Sequence, residues 1–370
     1  MHDVVDKVPF LNLSEEFSAL QAEWLESIRV TGSQGSFVLG PNVVAFEKEV
    51  AAYVGTRHAI GVANGTDALA LSLRALGIGP GDEVITSPYT FFASPESISI
   101  VGATPVFADI LPDSFNLDPD SVRASLTGKT RAIMPVHIFG NPADMDAIMA
   151  IANEHNLKVV EDAAQAFGAS VGDAKVGSMG TTGCFSFYPT KVLGGYGDGG
   201  VITTNDAALV DSIRKTRNHG AVRPFVHDEI GANSRLDEIQ ASLLRIKLRA
   251  IEQAIAGRRK VAEAYTVALA DTAVIPPLLP SHGGHAFNLY TIRTPRRDAV
   301  RQHLSDHNVA TSLCYPQPLH LQPVYSGLGY QVGDLPVSEQ TSTEALSLPI
   351  YPTMPESHIH RVYNLIKEIL

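Results

Sequence analysis

The chain has 370 residues, of which 45% are hydrophobic and 18% are charged, a balance typical of folded globular proteins and unlike that of disordered ones. Its formal net charge of −11 at pH 7 argues against a nucleic acid as the main partner, because phosphate backbones are bound chiefly by Lys and Arg. Two cysteines are too few for a disulfide scaffold, and residues 1–7 lack the apolar core of a secretion signal, so we expect a cytoplasmic protein without a membrane span.

From about residue 59 onward, short apolar runs alternate with helical stretches, which predicts a largely parallel sheet wrapped by helices. The predicted strands cover residues 59–63, 83–86, 105–108 and 132–137, and a helix covers residues 68–76. Because single hydrophobic cores stop growing at about 250–300 residues, the length predicts a second, smaller unit. We therefore predict an α/β fold with a large domain over residues 1–257 and a smaller, proline-rich domain over residues 258–370.

A carboxylate and a lysine stand out in the middle of the chain. An amphipathic helix over residues 144–156 leads into a predicted strand that ends at Asp162. Ligands of open α/β sheets collect outside the carboxyl ends of the strands, so a functional role for Asp162 is favoured, although most aspartates are only solvated loop residues. Lys191 lies further along, just before a glycine-rich loop. This pair suits pyridoxal phosphate, because a lysine amine condenses with the cofactor aldehyde and a carboxylate keeps the pyridine nitrogen protonated.

Residues 63–67 form a candidate phosphate site between a predicted strand and an alanine-rich helix. Free N–H groups and the helix dipole favour an anion there, Gly65 allows close approach, and Thr66 adds a hydroxyl donor. The alternative is a simple helix cap formed by Thr66 or Asp67. Ser186 is likewise either a phosphate ligand or an ordinary strand hydroxyl.

Residues 195–200 match the dinucleotide pattern G-x-G-x-x-G in form only. A dinucleotide fingerprint opens a helix, whereas these glycines lead into the β-branched run over residues 201–204, which predicts another strand. We interpret the glycines as a loop that allows the backbone to pass close to Lys191. A helix capped by Asn205 or Asp206 follows, and a long helix over residues 236–257 is predicted to link to the second domain.

Three further features each allow two interpretations. Phe91 follows a strand and could stack on a planar ring, although an aromatic residue there is more often part of the core. His137 is more consistent with a hydrogen-bonded core histidine than with a catalyst. The basic residues between Arg214 and Arg223 could neutralise a diphosphate, or could complement the dipole at a helix end.

Taken together, four segments resemble the DegT family of nucleotide-sugar aminotransferases that depend on pyridoxal phosphate. The segments are NGTDAL at 64–69, EDAAQ at 161–165, FSFYPTK at 185–191 and NSRLDEIQ at 233–240. The resemblance covers nearly the whole chain. It implies the type I aminotransferase fold, with a large, mostly parallel sheet domain and a smaller C-terminal α+β domain.

The resemblance implies how the cofactor ring would be held. Lys191 would be the catalytic residue and would bond covalently to pyridoxal 5′-phosphate. Asp162 would meet the ring nitrogen, Gln165 would reach the phenolic oxygen, and Phe91 would cover one face of the ring.

The resemblance also implies a shared phosphate site. Gly65, Thr66 and Ser186 would hold the cofactor phosphate, together with Asn233 from the neighbouring subunit. The expected working unit is therefore a homodimer with shared active sites.

A keto sugar is the implied substrate. Tyr188 and the loop over residues 193–200 resemble the corresponding segments of family members that aminate a 3-keto sugar. The expected substrate is therefore a 3-keto sugar linked to UDP or dTDP, and the expected amino donor is glutamate. Residues 315–323 resemble the segment that lines the sugar site, and Cys314 stands where those relatives often have His. The candidate substrate-binding residues are Tyr188, Arg235, Tyr315 and His320.

Two alternatives remain open from the sequence. The first is amination of a 4-keto nucleotide sugar or of a cyclitol ketone. The second is a non-catalytic regulator that kept the fold, which predicts a lost lysine or an added DNA-binding segment. The presence of Lys191 favours amination, because a dehydratase branch of the family has histidine in its place. No metal site is predicted.

Overall fold

The computed structural model describes residues 7–280 and 282–370. Residues 1–6, on which the expected absence of a secretion signal depends, lie outside that range. Along the described chain the helices are α1 (Leu13–Gln34), α2 (Pro41–Val54), α3 (Gly65–Ala75), α4 (Ala93–Ile100), α5 (Pro119–Ala124), α6 (Met145–Glu154), α7 (Ala207–Thr216), α8 (Glu238–Leu248), α9 (Ile251–Leu269), α10 (Arg297–Asp306), α11 (Pro336–Glu344) and α12 (Glu356–Ile369). None of these helices combines the length and apolar character needed to cross a bilayer.

The strands are β1 (His58–Val62), β2 (Glu83–Thr86), β3 (Thr104–Phe107), β4 (Thr130–Met134), β5 (Lys158–Asp162), β6 (Ser170–Val171), β7 (Ala174–Lys175), β8 (Thr182–Ser186), β9 (Gly200–Thr204), β10 (Ala221–Arg223), β11 (Val226–His227), β12 (Tyr290–Arg293) and β13 (Ala345–Leu348). The main sheet has the order β1-β9-β8-β5-β4-β2-β3. Its pairs are parallel except that β9 runs antiparallel to both β1 and β8. The predicted mostly parallel sheet is confirmed.

Helices cover both faces of this sheet, and the strands are apolar on both sides for that reason. In β9, Val201 packs with α2 and α8, whereas its neighbour Ile202 packs with α3 and α7. In β5, Val159 and Val160 divide in the same way between two clusters. Adjacent residues of a strand point to opposite faces, so each contributes to a different core.

A second core lies in the C-terminal part of the chain. It is built on the antiparallel pair of β12 and β13, with apolar residues from α9, α10 and α12 packed around it. Val8, near the start of the described chain, belongs to this core and pairs with Val309. The arrangement is the small α+β unit that the predicted fold class requires.

The predicted helix over residues 236–257 is wrong in its middle, where it is interrupted, and at its end. Helix α8 stops at Leu248, and α9 begins at Ile251 and continues to Leu269. Gly257 does not end the helix; a Cβ atom there would lie 2.5 Å from the carbonyl oxygen of Pro352. The glycine therefore allows the segment at Pro352 to approach the helix closely. In a sequence, a glycine needed for such a contact looks the same as a glycine that ends a helix.

Helix α9 also crosses the predicted domain boundary. Ile255 packs in the core of the large sheet, whereas Val261 and Tyr265 pack in the C-terminal core. This change of core supports a division near residues 257 and 258, and we retain that division as a proposal.

A buried histidine and glutamate fix the carboxyl end of β5. Nδ1 of His137 accepts the N–H of Ala143, so Nε2 carries the proton and donates to Glu161, 3.0 Å away. Glu161 also accepts three backbone N–H groups from the loop over residues 177–180. The interpretation of His137 as a core histidine is confirmed, and the pair anchors the strand immediately before Asp162.

Candidate active site

The predicted site residues converge at one edge of the sheet. Strands β2, β4, β5 and β8 are parallel, so their carboxyl ends meet at the same edge. Asp162 ends β5, Ser186 ends β8, and in the register of these strands Asp162 pairs with Cys184. Helix α3 begins at the same edge, because Gly65 touches Ser186.

Asp162 is buried, with 5% of its surface exposed. One carboxylate oxygen accepts the hydroxyl of Ser94 at 2.7 Å, and the other accepts the N–H of Ala164 at 3.2 Å. Burial raises the pKa of Asp162 above its ordinary value, and these hydrogen bonds and the nearby Lys191 oppose that shift. A carboxylate is thus kept out of water yet has lone pairs left for a further donor.

Lys191 lies in the loop that follows β8, and its N–H donates to the carbonyl oxygen of Tyr188. The side chain is half-buried. Burial lowers the pKa of the Lys191 amine, and attraction to Asp162 opposes that shift. The charges of the amine and the carboxylate therefore influence each other. Their roles with the cofactor stay predictions.

The candidate phosphate site is the start of α3. Asn64 caps this helix, since its side-chain oxygen accepts the N–H of Asp67 at 2.8 Å. The alternative that Thr66 or Asp67 is the cap is wrong. The first N–H groups of a helix have no acceptor within it, so those of Gly65 and Thr66 are available to an anion.

Gly65 and Ser186 are in direct contact. A Cβ atom on Gly65 would lie 2.7 Å from Cβ of Ser186, a distance that real atoms do not tolerate. The absence of a side chain at position 65 is what allows the helix start and the strand end to lie side by side.

Gln165 is already engaged on both sides of its amide. Its oxygen accepts the N–H of Phe139 at 2.7 Å, and its nitrogen donates to the hydroxyl of Tyr315 at 2.9 Å. The ring of Phe91 lies 6.5 Å from that of Tyr315 and is 58% exposed. Phe91 is therefore an exposed aromatic residue at the edge of the site and not part of the core.

The glycine-rich loop is followed by a strand, as predicted, whereas its close passage beside Lys191 stays a prediction. It leads directly into β9 at Gly200, so it is not the start of a dinucleotide-binding helix. Cβ atoms on Gly195 or Gly197 would each lie 2.7 Å from the side chain of Gln240, whose oxygen accepts the N–H of Tyr196. These glycines allow the loop to pack against α8.

The structure also shows the surroundings of Tyr188, Tyr315, Arg235 and Asn233, which the sequence predicted as site residues. Tyr188 is exposed, and Tyr315 contacts Gln165. Arg235 donates to the side chain of Asn218, and the backbone of Asn218 pairs with that of the exposed Asn233. Their roles in binding remain predictions.

His320 is the predicted site residue that the structure sets apart. It is buried, its Nε2 lies 3.1 Å from Glu339, and its ring packs near Phe107 and Tyr330. None of these neighbours belongs to the group around Lys191, and a substrate-binding role for His320 stays a prediction.

The basic residues between 214 and 223 are largely paired with acids. Arg217 is buried and contacts Glu47 at 2.6 Å, and Arg214 lies 3.6 Å from the same carboxylate. Lys215 forms ion pairs with Asp228 and Glu229. These contacts favour the structural interpretation of the cluster over diphosphate binding.

Two contributors to the site were missed from the sequence. Ser94 donates to Asp162, and Tyr89 donates its hydroxyl to the carbonyl oxygen of Cys314 while accepting the N–H of Tyr315. Serine and tyrosine are too common for either to signal its role, because each partner is far away along the chain.

The DegT/DnrJ/EryC1/StrS aminotransferase family profile matches residues 19–367 of the chain. A pleiotropic regulatory protein from Geobacillus stearothermophilus is 46% identical over 98% of both chains. A dTDP-3-amino-3,4,6-trideoxy-alpha-D-glucose transaminase from Streptomyces venezuelae is 42% identical over 98% of this chain and 96% of its own. A UDP-N-acetyl-3-dehydro-alpha-D-glucosamine 3-aminotransferase from Acidithiobacillus ferrooxidans is also 42% identical, over 98% of both chains.

The fold also matches solved structures over nearly the whole chain. The crystal structure of S. venezuelae DesV in complex with a ketimine intermediate superimposes with a TM-score of 0.96, at 42% identity and over 98% of both chains. This likeness confirms the predicted type I aminotransferase fold. The chain therefore belongs to the DegT/DnrJ/EryC1/StrS aminotransferase family and is an aminotransferase whose cofactor is pyridoxal 5′-phosphate.

Proposed function

We propose that the protein transfers an amino group to a nucleotide-linked 3-keto sugar and releases the 3-amino-3-deoxy sugar, with glutamate as the donor. The observation that carries this proposal is the buried carboxylate of Asp162 at the carboxyl edge of the sheet, with Lys191 in the loop that follows the neighbouring strand β8. When bound there, pyridoxal phosphate carries the amino group between donor and acceptor and withdraws electrons from the reacting carbon.

The side chains at this edge suit the polar groups and the face of the cofactor ring. Asp162 is a buried carboxylate whose two oxygens receive one donor each, so it can accept one more from a protonated ring nitrogen. Gln165 uses one N–H for Tyr315 and has a second for the phenolic oxygen. Phe91 presents an exposed face that can lie against a planar ring.

The phosphate end fits as well. The start of α3 offers the N–H groups of Gly65 and Thr66, and Ser186 brings its hydroxyl to the same place. We propose these three residues as the part of the phosphate site that one subunit supplies.

Lys191 is suited to hold and move a proton at Nζ. A lowered pKa increases the fraction of neutral amine near pH 7, and only a neutral amine can accept a proton. Asp162 stabilises the charged form of the amine and so opposes the shift that burial causes.

The position of amination is proposed from the relatives. Two of them, which act on sugars carrying dTDP and UDP, are both named for an amino group at position 3. Agreement across two nucleotides supports 3-amination here and leaves the choice of nucleotide to experiment. Tyr188, Arg235, Tyr315 and His320 are proposed to contact the sugar nucleotide, and we place the enzyme in cytoplasmic synthesis of amino sugars for polysaccharides.

The regulator alternative gains no support from the site. It predicts a lost lysine or an added DNA-binding segment, whereas Lys191 is present and its amine and the carboxylate of Asp162 influence each other. Amination of a 4-keto sugar or a cyclitol remains the competing substrate assignment.

A homodimer with shared sites is part of the proposal. Phe225 lies in the turn between β10 and β11 and is 97% exposed, and Val222 and Ile230 nearby in the sequence are also exposed. Apolar residues so grouped are typical of a surface that another protein covers. Asn233 follows this segment and is exposed, so we propose that it reaches the phosphate site of the partner subunit.

Replacing Gly65 by alanine should weaken cofactor binding, because the new methyl group would push α3 away from Ser186. We expect the dissociation constant of pyridoxal phosphate, measured by fluorescence titration, to rise by about tenfold or more. Gly128→Ala is the matched control, since nothing lies within 4 Å of a Cβ atom there. Equal affinities of the wild type and Gly65→Ala would contradict this assignment of the phosphate site.

The purified enzyme should aminate UDP- or dTDP-linked 3-keto sugars in the presence of glutamate. The product is measured by mass spectrometry, and its amino position is found by NMR. We expect the 4-keto isomers and cyclitol ketones to be turned over far more slowly. Turnover of a 4-keto sugar alone would overturn the proposed position of amination while leaving the aminotransferase assignment intact.

Shared sites predict complementation between inactive subunits. A heterodimer of Lys191→Ala and Asn233→Ala subunits contains one site with both native residues, so it should have about half the wild-type activity. The control heterodimer pairs a wild-type subunit with the double variant, and under this arrangement neither of its sites is intact. Higher activity in the control than in the first heterodimer would show that Asn233 acts within its own subunit.

A further inference from the structure

The turn at the start of α4 connects Phe91 with Ser94, whose hydroxyl contacts Asp162. Phe91 lies in this turn, and its carbonyl oxygen accepts the N–H of Ser94. The hydroxyl of Ser94 lies 2.7 Å from a carboxylate oxygen of Asp162 and 3.1 Å from the hydroxyl of Thr90. Thr90 and Ser94 are both buried, with 1% and 0% of their surfaces exposed.

The direction of these hydrogen bonds follows from proton counting. A hydroxyl group has one proton to donate, and an ionised carboxylate can only accept. With Asp162 ionised, Ser94 donates to Asp162 and Thr90 donates to Ser94. The carbonyl oxygen of Phe91 is a weaker competitor for the Ser94 proton, since it lies 3.5 Å away.

We propose that Thr90 and Ser94 form a hydroxyl relay that keeps Asp162 ionised and correctly oriented for the ring nitrogen of the cofactor. The inference rests on the proposed role of Asp162 and adds two positioning residues to it. Because burial disfavours the charged carboxylate, each donor shifts Asp162 toward its ionised form. Ala164 supplies a donor to the other oxygen through its backbone, which no substitution of a side chain removes.

The test compares two ligands on each variant, and it reads binding instead of activity. One ligand is pyridoxal phosphate, and the other is its 1-deaza analogue, in which a C–H group replaces the ring nitrogen. A group that acts through Asp162 affects only the ligand that has the nitrogen. A change that merely loosens the fold would weaken both ligands alike.

We expect the wild type to prefer pyridoxal phosphate over the analogue, and Ser94→Ala to reduce that preference by about tenfold, since hydrogen bonds to charged groups are the stronger kind. Thr90→Val should reduce it in the same direction but less. Ser94→Cys, which keeps a weak donor, should lie between Ser94→Ala and the wild type.

Ser97→Ala is the matched control. Ser97 is as buried as Ser94 and lies one turn further along α4, but its hydroxyl donates to the carbonyl oxygen of Ser94 instead of Asp162. The Ser97→Ala variant should prefer pyridoxal phosphate over the 1-deaza analogue as strongly as the wild type does. An unchanged preference in Ser94→Ala would overturn the relay alone, whereas a wild type that does not distinguish the two ligands would also overturn the role of Asp162.

Discussion

The site depends on a carboxylate that is kept out of water at the end of a strand. Taking the charge of Asp162 out of water is unfavourable unless donors and an opposite charge replace the lost hydration. Here Ser94, the backbone of Ala164 and the amine of Lys191 supply them. Burial also lowers the pKa of Lys191, and attraction to Asp162 opposes that shift, so the two groups influence each other.

The fold holds this environment in place through its topology. Parallel strands bring the ends of β5 and β8 together, and the contact of Gly65 with Ser186 adds the start of α3 to the same edge. Behind Asp162, His137 and Glu161 tie β4, β5 and the loop over residues 177–180 together with hydrogen bonds. Because buried polar networks of this kind have little freedom, the carboxylate is held in a defined position.

Much of this arrangement could be predicted from the sequence, for physical reasons. The strands that end at Thr86 and Asp162 are buried on both faces, so they stand out as short apolar runs. Lys191 and Asp162 were recognisable because the chemistry of the cofactor requires an amine and a carboxylate. The cap of α3 was missed because Asn64, Thr66 and Asp67 are all acceptable caps, and only the geometry selects Asn64.

The contacts that could not be predicted join residues far apart along the chain. Ser94 meets Asp162, and Gln165 meets Tyr315, only because the sheet and the C-terminal segment bring them together. Gly257 looks like a helix stop but serves as a close contact with Pro352 within a continuous helix. In each case the local sequence is compatible with several roles, and packing decides among them.

The central claim is that Lys191 alone forms the covalent bond to the cofactor. Borohydride reduction of the protein loaded with pyridoxal phosphate, followed by peptide mapping, tests this claim most directly. We expect a single modified peptide whose label is on Lys191, and no label in Lys191→Ala treated in the same way. A label on another lysine, or a Lys191→Ala variant that is labelled as strongly as the wild type, would contradict the account.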